Sequence, residues 1–128
     1  MPVSQLIIVG LGGALGAVSR FLLVRAVTPT LAAGQFPLGT WLANIIGSFM
    51  FGLLFIIINE RFDMDDQLRF GVLVGFLGAF TTFSSFSFET VRLMQSGHWG
   101  IVLMYILASV SVCLLCTWGG MRLGELLV

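Results

Sequence analysis

Residues 78–88 of this chain, GAFTTFSSFSF, interleave hydroxyl groups with phenylalanines inside a long apolar segment. The hydroxyls belong to Thr81, Thr82, Ser84, Ser85 and Ser87. Hydrocarbon does not solvate hydroxyls, so such a run is tolerated at membrane depth when it faces protein or a polar cavity. Because the run carries no formal charge, any ligand there would meet neutral dipoles and aromatic rings.

Two phenylalanines in this run have a spacing that suits an anion. Phe83 and Phe86 are three residues apart, so a helix places them on nearly one face. An aromatic ring has a positive edge and a negative face, so its edge can meet an anion. The pair therefore either lines an anion path without a fixed positive charge or simply fills the core.

Other polar side chains stand in apolar segments elsewhere. Asn44 either bonds to a neighbouring helix, as buried membrane amides usually do, or offers its two N–H donors to a pore. Ser109, Cys113 and Thr117 form a stripe of small side chains at intervals of four, with Tyr105 one turn earlier. That stripe serves either helix packing or a pathway.

Glu89 is the carboxylate that stands well inside an apolar segment. It follows Phe83 by roughly 9 Å along a helix, at 1.5 Å per residue, and so lies toward one membrane interface. Arg92 is three residues further on and suggests an ion pair; the alternative is a vestibule or a proton-linked role. Arg20 either reaches an interface by snorkelling or holds a loop.

The composition is that of an integral membrane protein. Of its 128 residues, 58% are hydrophobic and 9% are charged, against about 25% charged in soluble domains. The mean hydropathy is +1.06. The length suits a single transmembrane domain over residues 1–128. With zero net charge and no basic patch, we expect no nucleic-acid partner, and the N-terminus lacks the positive region of a signal peptide.

Cys113 and Cys116 form a Cys-x-x-Cys motif within an apolar segment. A redox motif needs a polar, accessible site, and a structural zinc needs four ligands, which His98 alone cannot complete. We therefore interpret both cysteines as small apolar fillers.

A bilayer core needs about 20 apolar residues in a helix, and four segments qualify. The predicted spans are residues 4–27, 38–59, 69–94 and 99–125. Residues 28–37, 60–67 and 96–98 are the predicted loops. Glycine and threonine weaken helices, so we predict that the third span breaks near Gly78 to Phe83; the alternative is a plain kink. Such breaks expose backbone groups that can bind ions at the midplane.

Arginines are balanced across the four-span topology. Those on the terminal side are Arg61, Arg69 and Arg122, and those on the other side are Arg20, Arg25 and Arg92. Since the positive-inside rule needs an excess on one side, we expect copies to insert both ways and pair as antiparallel homodimers. The alternative is one orientation fixed by other means. G-x-x-x-G pairs predict close helix contacts, within or between subunits, at Gly12/Gly16, Gly71/Gly75 and Gly120/Gly124.

Three motifs carry a resemblance to a known family. Residues 12–21 (GGALGAVSRF), 39–49 (GTWLANIIGSF) and 75–89 (GFLGAFTTFSSFSFE) resemble the first-, second- and third-helix motifs of the Fluc fluoride channels. The resemblance covers essentially the whole chain in length, span count and motif order. It implies an all-α, antiparallel, dual-topology homodimer of four-span subunits, with two pores for passive export of toxic fluoride. A bacterial inner membrane is the expected location.

The same resemblance implies roles for individual residues. The fluoride pore would be lined by Phe83, Phe86, Asn44, Ser84, Ser85, Ser87, Thr117 and Tyr105. The backbone carbonyls of Gly78 and Thr81 would hold a structural Na⁺ shared between subunits. Glu89 and Arg20 match motif positions whose role is either in a vestibule or structural.

Three other functions compete with this interpretation. A small multidrug-resistance-type exporter needs a proton-exchanging carboxylate in its first span, and the chain has none before Glu60. A non-transporting subunit of a larger complex would show no ion flux alone. An enzyme is disfavoured because the sequence shows no metal cluster, no nucleophile–base set and no phosphate loop.

Overall fold

The computed structural model describes residues 2–60 and 66–128, and the regular structure within those ranges is entirely helical. The elements are α1 (Val3–Val27), α2 (Leu38–Glu60), α3 (Asp66–Arg69), the π-helix π1 (Phe70–Leu77), α4 (Gly78–Phe80), α5 (Phe83–Gln95) and α6 (Trp99–Leu127). The predicted second loop falls mainly on residues 61–65, outside the described residues. Asp66 and Gln67, assigned to that loop from the sequence, instead begin α3.

Four helical stretches are long and apolar enough to cross a bilayer. They are Val3–Val27, Leu38–Glu60, Asp66–Gln95 and Trp99–Leu127. The prediction of an all-α, four-span, multi-pass membrane protein is therefore confirmed. With four crossings, both ends of the chain lie on one side of the membrane. Residues 28–37 and 96–98 connect the spans on the opposite side, called the loop side below.

The α1 helix packs against π1 through glycines. A Cβ atom on Gly12 would collide with the carbonyl oxygen of Gly71, and one on Gly75 would meet the carbonyl oxygen of Val9 at 2.7 Å. Only hydrogen fits at these points, so the two backbones touch. This approach supplies van der Waals contact where no hydrophobic force acts between helices.

The α2 and α6 helices form a second close pair. A Cβ atom on Gly52 would collide with the carbonyl oxygen of Thr117, and one on Gly120 with that of Phe49. The sequence left open whether the small-residue motifs join helices within or between subunits. In both pairs, the contacts of these glycines lie within one chain.

The third span breaks at two extended residues between α4 and α5. Thr81 has φ −86° and ψ 156°, and Thr82 has φ −151° and ψ 119°. The Thr81 amide and hydroxyl both donate to the Leu77 carbonyl, at 3.1 and 3.0 Å. The Thr82 hydroxyl caps α5 by accepting from the Ser85 amide at 3.1 Å. The predicted break between Gly78 and Phe83 is confirmed.

The turn from α5 to α6 is a Schellman motif. Gly97 has φ +77°, the Gly97 amide donates to the Met94 carbonyl, and the His98 amide donates to the Leu93 carbonyl, both at 3.0 Å. Glycine at this position takes the left-handed conformation without a Cβ clash. The motif ends α5 sharply, and α6 begins two residues after Gly97. The chain therefore turns back, and α6 runs beside α5.

Candidate functional site

The Asn44 carboxamide, carried by α2, closes the break in the third span. Its Oδ1 accepts from the Thr82 amide at 2.8 Å, and its Nδ2 donates to the Thr82 carbonyl at 3.0 Å. The break leaves the Thr82 amide without a helical acceptor, and hydrocarbon cannot supply one. The Thr82 carbonyl begins the α5 ladder as its N-cap and accepts from Asn44 in addition. This pair of hydrogen bonds supports the interpretation that Asn44 joins two helices. One N–H of the same Nδ2 is left for a further acceptor.

A cavity of about 380 Å³, called the central cavity below, lies beside this pair. Its lining residues carry no formal charge. Its polar and aromatic lining comes from Asn44, Ser48, Phe51, Thr81, Thr82, Phe83, Phe86, Ser109, Cys113 and Thr117. The break, α2 and α6 thus bring together four of the predicted pore residues, namely Phe83, Phe86, Asn44 and Thr117.

The two predicted phenylalanines stand in different environments within this cavity. Their ring centroids are 5.5 Å apart, with 48° between the planes. Phe86 also packs on Tyr105, with centroids 5.0 Å apart, whereas the Phe83 side chain is 77% exposed. Phe86 is therefore held by the core of the chain, and Phe83 projects from it.

The stripe on α6 faces the central cavity along its whole length. Ser109, Cys113 and Thr117 all line it. Ser109 is 7% exposed, and its Oγ has no hydrogen-bond partner. Buried hydroxyls are normally paired, and this one is an exception among the described residues. The arrangement favours the pathway interpretation of the stripe over packing.

The three serines of the run lie away from the central cavity. Ser84 is exposed, with its hydroxyl 3.2 Å from the Thr82 hydroxyl, and Ser85 accepts from that hydroxyl at 3.1 Å. Ser87 lines neither this cavity nor the cleft described below. A helix turns about 100° per residue, so neighbours of Phe83 and Phe86 face other directions. Their part in a pore stays a prediction.

Glu89 is held by two hydroxyls from other helices. Its Oε1 accepts from Thr40 Oγ1 at 2.6 Å, and its Oε2 accepts from the Tyr105 hydroxyl at 3.1 Å. Tyr105 is fully buried, so it lies behind the central cavity rather than in its lining. The described residues show no ion pair between Glu89 and Arg92, and that interpretation is wrong. Two charge-assisted bonds fix the carboxylate instead.

Thr40 is the partner that sequence reasoning missed. It is 4% exposed and lies one turn before Asn44 on the same helix. The available signal was the interval of four between two polar residues in an apolar segment, which places both on one helix face. One face of α2 therefore carries both Thr40, which binds Glu89, and Asn44, which binds the break in the third span.

On the loop side of the Asn44–Thr82 pair lies a second space of about 440 Å³, called the outer cleft below. Its charged and polar lining comes from Arg20, Arg25, Thr28, Thr40, Thr82, Ser85 and Glu89. Thr82 lines both spaces, so its pair with Asn44 stands between them. Further cavities of about 480 and 50 Å³ also reach Glu89. The position of Arg20 in the cleft favours the vestibule interpretation.

Backbone carbonyls at the end of α4 are the candidate cation ligands. The last carbonyls of any helix lack intrahelical partners, and α4 ends at Phe80. Gly78, in that last turn, is exposed, and Thr81 follows in extended conformation. The described residues include no cluster of three or more His, Cys, Asp or Glu side chains. Carbonyl oxygens are hard ligands and fit a hard cation such as Na⁺.

Comparison with known proteins places this architecture in a family. Residues 7–121 match the family model described as "CrcB-like protein, Camphor Resistance (CrcB)". The chain belongs to the CrcB-like family. The match of this CrcB-like chain spans all four membrane helices, from the first turns of α1 to near the end of α6.

Curated relatives match this CrcB-like chain over most or all of its length. A protein of Magnetococcus marinus named "Fluoride-specific ion channel FluC" is 48% identical over 96% of this chain and 99% of the relative. A protein of Hahella chejuensis with the same name is 46% identical over the whole of both chains. A third, from Saccharophagus degradans, is 43% identical over 86% of this chain and 84% of its own length.

Proposed function

We propose that this chain is a fluoride-specific ion channel through which fluoride leaves the cytoplasm by passive diffusion. Three relatives that match it over most of their length bear that name. The observation that carries the proposal is the charge-free central cavity, whose lining combines Asn44 and hydroxyl-bearing residues with the two phenylalanines. It offers donors to an anion and no charged group to trap one.

The chemistry of the lining suits a small, strongly hydrated halide. Fluoride can enter a narrow path only where its water is replaced by other donors. Asn44 has one N–H to spare, Ser48 and Thr117 add hydroxyl-bearing side chains to the lining, and the edges of Phe83 and Phe86 carry partial positive charge. Conduction also needs sites weak enough to release the ion, and neutral dipoles meet that condition better than a fixed cation would.

The functional unit in this proposal is an antiparallel homodimer with two pores in a bacterial inner membrane. Two observations support a second copy beside the first. Phe83 projects from its own chain with 77% of its surface exposed, and the balanced arginines suit insertion in both directions. A partner subunit would cover Phe83 and complete the wall of the central cavity on its open side.

A structural Na⁺ at the centre of this dimer is part of the proposal. The residues that would hold it are Gly78 and Thr81, through carbonyls that the break frees from the helical ladder. Bound there, the ion would add positive potential beside the central cavity, which Thr81 also lines. We expect fluoride flux to fall when Na⁺ is replaced by a bulky organic cation such as N-methyl-D-glucamine. Flux independent of Na⁺, with selectivity unchanged, would contradict this part of the proposal.

Glu89 and Arg20 belong in this proposal to an entrance on the loop side. Both line the outer cleft, whose charged walls can hold a still-hydrated anion. A proton-coupled cation exporter is less well supported. Glu89 is already bound by Thr40 and Tyr105, and α1 has no acidic residue.

The test is ion efflux from liposomes that contain only the purified protein. Liposomes loaded with fluoride should release it rapidly when a potassium ionophore balances the charge, and liposomes loaded with chloride should retain it. A proton gradient should change the rate little. Fluoride retained as well as in protein-free liposomes would overturn the proposal, and efflux driven by protons with an organic cation as substrate would favour the exporter.

A further inference from the structure

Gly47 on α2 packs against the break in the third span without contributing a side chain. It lies three residues after Asn44 on the same helix and is buried. A Cβ atom added to Gly47 would collide with the methyl group of Thr81. Gly47 does not have a positive φ, so the position requires glycine for space rather than for backbone conformation. The Thr81 methyl therefore occupies the room that any side chain at position 47 would fill.

The Thr81 side chain is held from a second direction as well. Its hydroxyl donates to the Leu77 carbonyl at 3.0 Å, and the Thr81 amide donates to the same oxygen at 3.1 Å. Both branches of the side chain thus have fixed neighbours, since the methyl contacts Gly47 and the hydroxyl is bound to Leu77. A rotation that moved the methyl away from Gly47 would also break the hydroxyl bond.

The Thr81 carbonyl is the group that these contacts leave open. In residues 2–60 and 66–128, no hydrogen-bond donor reaches it. It shares a planar peptide with the Thr82 amide, which donates to Asn44 Oδ1 at 2.8 Å. This peptide is trans, so its carbonyl points opposite to the amide and away from Asn44. The α2 helix therefore orients the peptide plane through Asn44 and fixes the position of Thr81 through Gly47.

We propose that Gly47 is a positioning residue for the structural Na⁺, because its contact with the Thr81 methyl holds in place the carbonyl that would bind the ion. The inference rests on the proposed function, which assigns Na⁺ to the carbonyls of Gly78 and Thr81. Groups that orient metal ligands without touching the metal typically account for about 10- to 100-fold in metal affinity. Gly47 should therefore affect how tightly Na⁺ binds, although it offers the ion no ligand.

Gly47→Ala removes the room for the Thr81 methyl, and Thr81→Ser supplies a compensating change. In Gly47→Ala the two methyl groups collide, so Thr81 must move, and its carbonyl moves with it. Serine keeps the hydroxyl that bonds to Leu77 but has no methyl. In the double variant, the nearest atom to the new Cβ is then Phe80 Cδ1 at 3.2 Å, which a small shift of the ring accommodates. The double variant keeps the added bulk beside the central cavity but removes the collision.

The experiment measures thermal unfolding of the purified protein in detergent while Na⁺ replaces N-methyl-D-glucamine at constant ionic strength. A ligand that binds only the folded state raises the melting temperature with its concentration, so the titration reports Na⁺ affinity without any ion flux. Gly47→Ala should need about tenfold more Na⁺, or more still, for the same rise. Gly47→Ala/Thr81→Ser should match Thr81→Ser alone. Gly13→Ala is the glycine control, because its added Cβ would have its nearest contact at 3.9 Å.

Two results would overturn the inference directly. One is a Gly47→Ala protein with the Na⁺ requirement of the wild type. The other is a double variant that stays as weak as Gly47→Ala, since the defect would then come from the added bulk and not from the displaced Thr81. If Gly47→Ala does not fold, Thr81→Val replaces it, because valine keeps the shape but loses the hydroxyl bond to Leu77. A folded Thr81→Val protein should also need more Na⁺, and an unchanged requirement would overturn the inference.

Measurements on the wild type separate this inference from the proposals on which it rests. Fluoride efflux from liposomes that is absent in the wild type refutes the channel itself. A melting temperature that does not respond to Na⁺ refutes the sodium site and the role of Gly47 together. A wild type that conducts fluoride and is stabilised by Na⁺, beside a Gly47→Ala protein of equal Na⁺ affinity, refutes only the positioning role.

Discussion

The central cavity and the outer cleft are neighbours of similar size, about 380 and 440 Å³, with opposite chemistry. The cleft is lined by two arginines and a carboxylate, and the cavity by hydroxyls, an amide, a thiol and phenyl rings. Thr82, which Asn44 binds through its backbone, lines both spaces. In the proposed channel, charge would thus be present where fluoride still has its water and absent where it must lose it. On that proposal, attraction and passage would occur in separate places.

The largest effect is expected from placing a charge in the cavity. Asn44→Asp would set a carboxylate beside the anion path and remove the N–H donor to the Thr82 carbonyl. Two like charges about 4 Å apart repel by about 4 kcal/mol at an effective dielectric constant of about 20. Fluoride efflux should fall by about a thousandfold, since each 1.4 kcal/mol is about tenfold.

The control for this change is gel filtration of the variant in detergent, which shows whether the protein remains folded and monodisperse. A folded Asn44→Asp protein with undiminished flux would show that Asn44 serves only to join helices. The contrast between cavity and cleft would then lose its functional meaning.

The next largest effect on fluoride efflux is expected from removing the ring edges of Phe83 and Phe86. Phe83→Ile and Phe86→Ile keep apolar bulk but remove the positive rim, so fluoride efflux should drop to the level of protein-free liposomes. Thermal melting should separate the two variants. Phe86→Ile removes a ring contact with Tyr105 inside the chain and should lower stability directly, whereas Phe83→Ile should lower it only through the partner contact, and so in a way that depends on protein concentration. Normal flux in both variants would refute the role of the rings.

A smaller effect should follow from weakening the cleft. Arg20→Gln removes a charge that attracts anions toward the entrance, so flux at low ionic strength should fall roughly two- to tenfold. The loss should shrink in 1 M salt, where the screening length is about 3 Å instead of about 10 Å at 0.1 M. Asn44→Asp should show no such rescue. A salt-independent loss in Arg20→Gln would mean that Arg20 acts by packing rather than by charge.

The smallest effect is expected behind the cavity. Tyr105→Phe keeps the ring that packs on Phe86 but removes the hydroxyl that donates to Glu89. One lost charge-assisted bond should cost about 1 to 2 kcal/mol of stability, because Thr40 still holds the carboxylate. Thermal unfolding in detergent measures the loss. A variant as stable as the wild type would show that Thr40 alone fixes Glu89.

Much of the fold could be predicted from hydropathy and from residues that weaken a helix locally. Four apolar stretches predicted the spans, and glycines with two adjacent threonines predicted the break, because both signals are contained in a few neighbouring residues. The pairings across the bundle were not predictable in the same way. Asn44 and Thr82 are 38 residues apart, and Thr40 and Glu89 are 49. Only the crossing of α2 over the third span brings them together.

The site shows the same limit. The run of serines in residues 78–88 looks like one polar surface on paper, but helical rotation turns its members away from the two phenylalanines beside them. The residue types predicted that the run is polar. The direction in which each side chain points depends on the geometry of the break, which the sequence did not reveal. Ser109 illustrates the point. Its buried hydroxyl has no hydrogen-bond partner, yet nothing in the neighbouring sequence distinguishes it from a serine that only packs.

The Asn44–Thr82 pair restricts the amino acid at position 44 more than the one at position 82. Thr82 contributes backbone atoms to the pair, while its side chain caps α5 and bonds to the Ser85 hydroxyl; serine or asparagine also caps helices and adds no charge to the cavity. Asn44 contributes the side chain itself, and shortening, lengthening or ionising it breaks the match. A saturation library selected for growth on fluoride should therefore admit several amino acids at position 82 and essentially one at position 44.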